Sequence, residues 1–192
     1  MIRALYNWTL GLARSPHALW ALAIIAFVES SVFPIPPDIL MIPMIIARPR
    51  RAFVIAAVAT AASVAGGAFG YWIGAAFFDA IGLPVLEFYG KTGSFETFRQ
   101  TYNDWGAWAV LIAGVTPFPY KVVTILSGAT GLSFPVFMLA STLARGLRFF
   151  LIAALLWKFG APIRDFIERR LGLVFSFAMV LLIGGFVALR YL

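Results

Sequence analysis

The fold of this chain is decided by residues 27–43, FVESSVFPIPPDILMIP, where two acids and four prolines interrupt an otherwise apolar run. Proline removes a backbone hydrogen-bond donor and clashes with the preceding helical turn, so it ends or kinks a helix. Within a membrane, unpaired backbone groups are tolerated only where they are buried in protein or line a wet cavity. The stretch therefore predicts a re-entrant hairpin over residues 29–47, which enters the membrane, breaks at the prolines and returns.

The composition of the chain places this hairpin in a bilayer. The 192 residues are 62% hydrophobic and 12% charged, with a mean hydropathy of +0.93, whereas soluble domains are about 45–50% apolar and about 25% charged. Because one spanning helix needs ~20 mostly apolar residues, residues 1–192 fit a single membrane domain with a handful of spans. The net charge of +7 is attributed to basic residues that flank the apolar runs, and no nucleic-acid partner is expected.

Composition also excludes several kinds of site. The chain has no cysteine and a single histidine, His17, so neither a thiolate nor a histidine-rich metal centre is predicted, and no cofactor is expected. The potential nucleophiles are Ser30, Ser31, Thr116 and Ser127, but no histidine base is available near them. The sequence has no glycine-rich loop followed by Lys-Ser/Thr, which excludes an NTPase. The chain is therefore not expected to be an enzyme.

A second interrupted stretch lies at residues 107–131, where an apolar approach meets TPFPYK and its lysine. In both halves an apolar span follows the interruption, so the order of hairpin and span repeats over residues 29–78 and 114–157. Paired interrupted segments in two halves of a membrane protein indicate a transport site at their interface. We therefore predict two inverted hairpin-plus-span repeats. The hairpins are expected to break at Pro34, Pro36, Pro37, Pro117 and Pro119.

The remaining segments flank this pair of repeats. Residues 1–14 are predicted to form an amphipathic helix at the membrane interface, residues 79–105 an extramembrane loop with a short helix near 95–104, and residues 173–190 a C-terminal span. The predicted fold class is thus an all-α integral membrane protein. The excess of arginine around the first hairpin places the N-terminus in the cytoplasm by the positive-inside rule.

Small residues form a stripe along the span at residues 52–78. Ala62, Gly66, Gly70 and Gly74 recur every four residues, which places them on one helix face. Small side chains at such an interface allow neighbouring helices to approach closely. The stripe therefore predicts tight helix packing, and it needs no functional explanation.

Five charged residues are predicted to lie at membrane depth, where each costs at least ~2.5–3.5 kcal/mol on insertion scales. They are Glu29, Asp38, Lys121, Arg145 and Arg148. If the two hairpins meet, the acids of the first face the bases of the second repeat, and pairing lowers the cost of burying both. One interpretation is that these pairs only lock the hairpins together.

The other interpretation is that the excess of bases binds an external anion. Arg145 and Arg148 are three residues apart and share one helix face, and guanidinium groups suit bidentate contact with phosphate. We therefore predict a phosphate-binding set of Lys121 and these two arginines. Glu29 and Asp38 are suited to bind and release a proton. The protonation of a carboxylate depends on its access to water and on nearby positive charge, and these act in opposite directions.

Together these residues resemble the DedA family of membrane proteins, within the SNARE-associated or VTT-domain group, and above all its short YqaA-like branch. The resemblance covers about residues 20–160 and depends on FVESSVFPIPPDILMIPM, GGAFGYWIG, TPFPYKVVTILSGATGLSF and ARGLRFF. It implies two inverted re-entrant hairpins in a multi-pass protein of the bacterial inner (cytoplasmic) membrane. It also implies that the protein is a transporter or flippase for lipids, chiefly undecaprenyl phosphate, with proton coupling.

The resemblance also assigns residues. The important acids of the family's first hairpin fall on Glu29 and Asp38, and the base of its second hairpin falls on Lys121. The chain departs from many members just before the second hairpin's proline, where Val115 or Thr116 stands in place of an arginine. The two arginines of the following helix would supply the missing charge.

The function expected from the sequence is transport of a phosphate-headed lipid, either a polyprenyl phosphate or a phospholipid, with membrane lipids and protons as the other partners. A homo-oligomer is compatible with this interpretation. Two alternatives stay open. The same site would carry a small ion or solute with protons, or the protein would be a membrane scaffold whose ion pairs are structural.

Overall fold

The computed structural model describes residues 17–32, 36–90, 92–116 and 118–169, and nearly all of these residues are helical. The helices are α1 (Ala18–Ser31), α2 (Asp38–Ala47), α3 (Ala52–Phe77), α4 (Leu83–Phe88), α5 (Thr92–Val115), α6 (Tyr120–Ala129) and α7 (Phe134–Arg169). A 3₁₀ turn at Pro49–Arg51 leads into α3, and a π-helical turn at Phe78–Gly82 follows it. These ranges contain no β-strand, and the all-α prediction is confirmed.

Some predictions fall on residues outside the described ranges. They are the interfacial helix at 1–14, the C-terminal span at 173–190, and the breaks at Pro34 and Pro117. Within the described residues, two helical stretches are long and apolar enough to cross a membrane, Pro49–Phe88 and Phe134–Gly160. They include the spans predicted at 52–78 and 134–157, but the first stretch continues through Phe88, so residues 79–88 are helical where a loop was predicted.

The first interruption separates α1 from α2. Helix α1 ends at Ser31 and α2 begins at Asp38, directly after Pro36 and Pro37. The apolar run before the prolines is helical from Ala18, because no proline follows until the break, so the first arm is longer than the predicted hairpin of 29–47. Glu29 consequently lies in the last turn of α1, close to the break.

The second interruption separates α5 from α6, which begins at Tyr120 directly after Pro119. The helix before this break is also longer than the sequence indicated. The short helix expected near 95–104 is the first part of α5, which runs from Thr92 to Val115. This segment contains no proline, so the helix continues from its polar part into its apolar part without interruption.

Helix α3 lies between the two halves, and its glycine stripe determines how closely they approach. A Cβ atom on Gly66 would collide with the backbone carbonyl of Phe27 in α1. A Cβ atom on Gly74 would collide in the same way with the carbonyl of Ile125 in α6. The predicted tight packing is confirmed, and it holds α1 against the middle of α3 and α6 against the C-terminal part of the same helix.

Two apolar clusters form the interior, and α7 contributes to both. The first cluster joins α1, α2, α3 and α7 around residues such as Leu22, Met41 and Phe149. The second joins α5, α6 and α7 around residues such as Val110 and Phe137. On α7, the segment between these clusters carries the polar and charged side chains of the candidate site.

Candidate functional site

Two arginines of α7 occupy different environments although they are one turn apart. Arg145 is buried, with only 2% of its side chain exposed, whereas 19% of the Arg148 side chain is exposed. Since residues three apart share a helix face, both side chains are directed toward the interrupted helices. Each guanidinium group forms an ion pair with one carboxylate there.

Arg145 is held by groups from three other helices. Its Nη2 donates to Glu29 Oε2 at 2.7 Å, and its Nε donates to Ser63 Oγ at 2.6 Å. The guanidinium carbon lies 4.8 Å from the centroid of the Tyr120 ring and 4.7 Å from that of Phe149. Cations over aromatic faces are attracted by the ring quadrupole, more strongly when water is excluded. The burial of this charge is therefore compensated by a carboxylate, a hydroxyl and two rings.

Two serines complete the arrangement around Arg145. Ser30 Oγ donates to Glu29 Oε2 at 3.0 Å and lies 2.6 Å from Ser63 Oγ. Because Arg145 donates to Ser63 and Ser30 donates to Glu29, the remaining hydroxyl proton runs from Ser63 to Ser30. The result is a closed ring of hydrogen bonds through Glu29, Ser30, Ser63 and Arg145, which we call the inner network.

Arg148 joins the two interrupted helices to each other. Its Nη2 forms an ion pair with Asp38 Oδ2, and its Nη1 donates to the carbonyl oxygen of Thr116 at 2.8 Å. Asp38 is the first residue of α2, and Thr116 follows the last residue of α5. We call Asp38 and Arg148 the outer pair. The other carboxylate oxygen of Asp38, Oδ1, is buried and has no hydrogen-bond partner among the residues that the structure describes.

Lys121 makes a second link between the breaks. Its Nζ donates to the carbonyl oxygen of Val32 at 3.1 Å, and Thr124 Oγ1, one turn further on, donates to the carbonyl of Ser30 at 3.0 Å. No carboxylate of the described ranges lies within ion-pair distance of Lys121. The base in excess of the acids is thus Lys121, placed where the end of α1 meets the start of α6.

The structure therefore brings together the five charged residues that the sequence selected. Glu29 pairs with Arg145, Asp38 pairs with Arg148, and Lys121 binds a backbone carbonyl of the first break. These contacts fit the interpretation that the pairs lock the two halves together, and they leave one positive charge in excess. The proton-coupling and phosphate-binding roles stay predictions.

A groove opens beside the outer pair. Its volume is about 280 Å³, and it is lined by Val115, Leu147, Arg148, Leu151 and Ile152. Among the described residues, Arg148 is the one charged residue of this lining. Leu147 and Leu151 are more than half exposed, so the groove opens at the outer surface of α7. The described lining of the groove thus consists of four aliphatic side chains and one arginine.

Sequence reasoning missed the polar contacts at the other end of α6. Arg99 Nε and Asn103 Nδ2 both donate to the carbonyl oxygen of Thr130, at 2.9 and 3.0 Å, and the hydroxyl of Tyr102 lies 2.9 Å from Ser127 Oγ. Donors and cations at a helix C-terminus satisfy its unpaired carbonyls and oppose its dipole. These contacts fix the end of α6. The spacing of Arg99, Tyr102 and Asn103 on one face of α5 was their only signal.

The described residues thus form an all-helical protein in which two helical stretches are long and apolar enough to cross a membrane, and two ion pairs join α7 to α1 and α2. The family model of the VTT domain matches residues 35–158. The chain belongs to this family, the VTT-domain group that includes DedA, as its motifs predicted. Membership places it among membrane-associated proteins with a transporter-like role.

Relatives of the chain extend over most of its length. An uncharacterized protein of Haemophilus influenzae is 33% identical over 168 residues, which cover 85% of this chain and 87% of the relative. An uncharacterized protein of Histophilus somni is 38% identical over the same shares of both chains. No solved structure matches the chain with significant similarity.

Proposed function

We propose that this protein moves a phosphate-headed lipid, such as undecaprenyl phosphate or a phospholipid, across the bacterial inner membrane, and that protons drive the movement. The observation that carries the proposal is the position of Arg148. This residue contacts both interrupted helices and lines an otherwise apolar groove at the surface of α7. A lipid with an anionic head and an apolar tail is complementary to this arrangement, in which a cation lies beside apolar side chains.

The head group is proposed to bind at Arg148 and Lys121. A guanidinium presents several donors in a plane, which suits the oxygens of a phosphate, and a lysine adds a mobile positive charge. Lys121 lacks a carboxylate partner among the described residues, so its charge is available to an anion. The first carbons of the lipid tail would lie against the groove residues Leu147 and Leu151.

Arg145 contributes differently in this proposal. It is 2% exposed, and its donors already bind Glu29 and Ser63, so a phosphate reaches it only in a conformation in which the inner network has opened. In the conformation of the structure, Arg145 pairs with Glu29 and holds α7 against α1 and α3. Glu29 and Asp38 are the proposed carriers of the coupled proton, because each carboxylate faces one of the two arginines.

Reconstitution in liposomes tests this function. The protein should move a fluorescent polyprenyl phosphate between leaflets, measured by protection from a membrane-impermeant quencher, faster than protein-free liposomes do. Arg148→Ala should return the rate to the protein-free value. Arg50→Ala is the matched control, because Arg50 is an exposed arginine of the turn before α3. Equal rates in the Arg148 and Arg50 variants would remove Arg148 from the site.

A structural role is the second candidate, and one observation favours it. Each arginine of the site already has a carboxylate partner, so both acids are accounted for without a substrate. A scaffold predicts that Glu29→Gln lowers thermal stability while wild-type protein moves no lipid. Uptake of a small ion or solute without lipid movement would instead favour transport of that solute.

A further inference from the structure

The two ion pairs of the site differ in how easily an anion can replace the carboxylate. We propose that Asp38 is the exchangeable partner of Arg148: the phosphate of the bound lipid displaces the Asp38 carboxylate, which takes up a proton, whereas Glu29 keeps its pairing with Arg145. This inference rests on the proposed function and deepens it, since it assigns the coupled proton to one residue and one step.

The surroundings of the pairs support this division. Arg148 lines the groove. The exposed fraction of the side chain is 19% for Arg148 and 18% for Asp38. Arg145 is 2% exposed and has no place in the groove lining. An anion that enters along the groove therefore meets Arg148 first.

The hydrogen bonds support the same division. Glu29 Oε2 accepts from both Arg145 and Ser30, and this serine is itself bonded to Ser63. Removing Glu29 would leave two donors, Arg145 Nη2 and Ser30 Oγ, without this acceptor, and a buried donor that loses its acceptor is costly. Among the described residues, the side chain of Asp38 accepts a hydrogen bond only through Oδ2, and its Oδ1 is buried without a donor. Its displacement therefore breaks fewer interactions.

The charges that face Asp38 determine what happens after displacement. Arg148 comes from α7, and Arg145 lies one turn away on the same helix, where Glu29 of α1 neutralises it. Lys121 of α6 binds the Val32 carbonyl across the first break. Helix α3 carries no charged residue. Once Arg148 has turned to a phosphate, Asp38 has no remaining cation in contact, and a carboxylate in such surroundings is less costly when it is neutral.

The exchange balances in atoms and charge. The ion pair between Asp38 and Arg148 opens, one proton from water binds the Asp38 carboxylate, and Arg148 stays protonated and binds the phosphate. Release of the phosphate reverses both events, because the re-formed ion pair requires the ionised carboxylate. Lipid binding and proton uptake are thus thermodynamically linked, and the two cargoes are bound in the same state.

Calorimetry of a soluble probe measures this link directly. Farnesyl monophosphate is titrated into purified protein in two buffers of different ionisation enthalpy, which gives the number of protons taken up on binding. We expect the wild type to take up about one proton more than Asp38→Asn under the same conditions. The probe's own titration is common to both proteins and cancels in the difference. The asparagine variant should bind the probe about tenfold more tightly at pH 8, because no carboxylate competes for Arg148.

Two further variants assign the proton. Glu29→Gln should still show the extra proton, and so should Glu96→Gln, which removes an exposed acid of α5. Loss of the extra proton in Glu29→Gln but not in Asp38→Asn would overturn the inference. Infrared difference spectra of the wild type provide a measurement that does not depend on a folded Asp38 variant. Probe binding should produce the band of a protonated carboxyl group, and its absence would also overturn the inference.

The two proposals fail in different ways. If wild-type protein neither binds farnesyl monophosphate nor moves the fluorescent lipid, the proposed function fails. If it binds the probe and moves the lipid but takes up no more protons than Asp38→Asn, the function stands and the exchange at Asp38 is wrong. Farnesol, which lacks the phosphate, is the control for binding of the tail alone.

Discussion

The inner network and the outer pair contain the same chemistry, one carboxylate and one guanidinium each, yet they differ in surroundings. Arg145 is enclosed by Glu29, Ser63 and two rings. Arg148 borders a groove, and its partner Asp38 keeps one oxygen without a donor. The comparison teaches that a buried charge becomes a fixed structural element when all its neighbours are satisfied, and stays exchangeable when one of them is not.

Removal of Arg145 should have the largest effect on stability and so test the difference between the inner network and the outer pair most directly. Arg145→Ala leaves Glu29 as a buried charge without its partner, and breaking such a pair costs about 3–5 kcal/mol. We expect a large fall in the thermal unfolding temperature, which circular dichroism of the protein in detergent measures. The double variant Glu29→Gln with Arg145→Gln should recover part of the loss, because it leaves no unpaired charge. A single variant as stable as the wild type would contradict the inner network.

A change in helix spacing should have the next largest effect. Gly66→Ala places a Cβ against the Phe27 carbonyl and moves α1, which carries Glu29, away from α3. Overpacking of this kind costs about 1–3 kcal/mol, so the unfolding temperature should fall. Gly93→Ala is the matched control, because a Cβ at Gly93 of α5 meets no atom within 4 Å. Equal effects of both substitutions would show that α1 and α3 are not in close contact at Gly66.

Removal of one hydroxyl from the inner network should lower stability by an intermediate amount. Ser63→Ala takes away the acceptor of Arg145 Nε and the donor to Ser30, and an unsatisfied buried group costs about 1–3 kcal/mol. We expect lower stability with lipid transport retained at reduced temperature. Thr142→Ala is the control, because its hydroxyl is exposed and bonds only to a carbonyl of its own helix. No difference between the two variants would argue against a closed ring.

The outer pair should show the smallest effect on stability. Asp38→Asn keeps the size of the side chain and one acceptor for Arg148, and the outer pair is more exposed than the pair of the inner network and takes part in fewer hydrogen bonds. The unfolding temperature should change little, whereas the dependence of lipid transport on an imposed pH gradient should disappear. Transport in reconstituted liposomes with and without the gradient measures this. A variant that unfolds as easily as Arg145→Ala would show that the two pairs are equivalent.

The sequence was sufficient to predict the features that depend on local chemistry. Prolines indicated both interruptions, the four-residue spacing of glycines indicated the close helix contacts, and the rarity of charge in apolar segments selected all five charged residues. Helix lengths were less accessible. Helix α1 begins at Ala18 and α5 at Thr92, since the segments before each break lack a proline that would have ended them.

The partners of the charges could not be predicted, because they depend on how α7 is rotated about its axis. A different rotation would have offered Arg148 to Glu29, and no local pattern distinguishes the two pairings. Ser63 was missed for a related reason. It is 33 residues from Ser30, and a serine in a helix of small residues usually bonds to its own backbone. Only the packing of α3 against α1 and α7 gives it a role.

The glycine contacts of α3 indicate which helices keep their positions relative to one another and which helix moves. Close backbone contacts join α3 to α1 and to α6, and the inner network joins α3 and α1 to α7. Helix α2 has no such attachment, since it meets the others through apolar side chains and the ion pair of Asp38. We expect alternating access to proceed as a swing of this single ten-residue arm against a stationary four-helix frame.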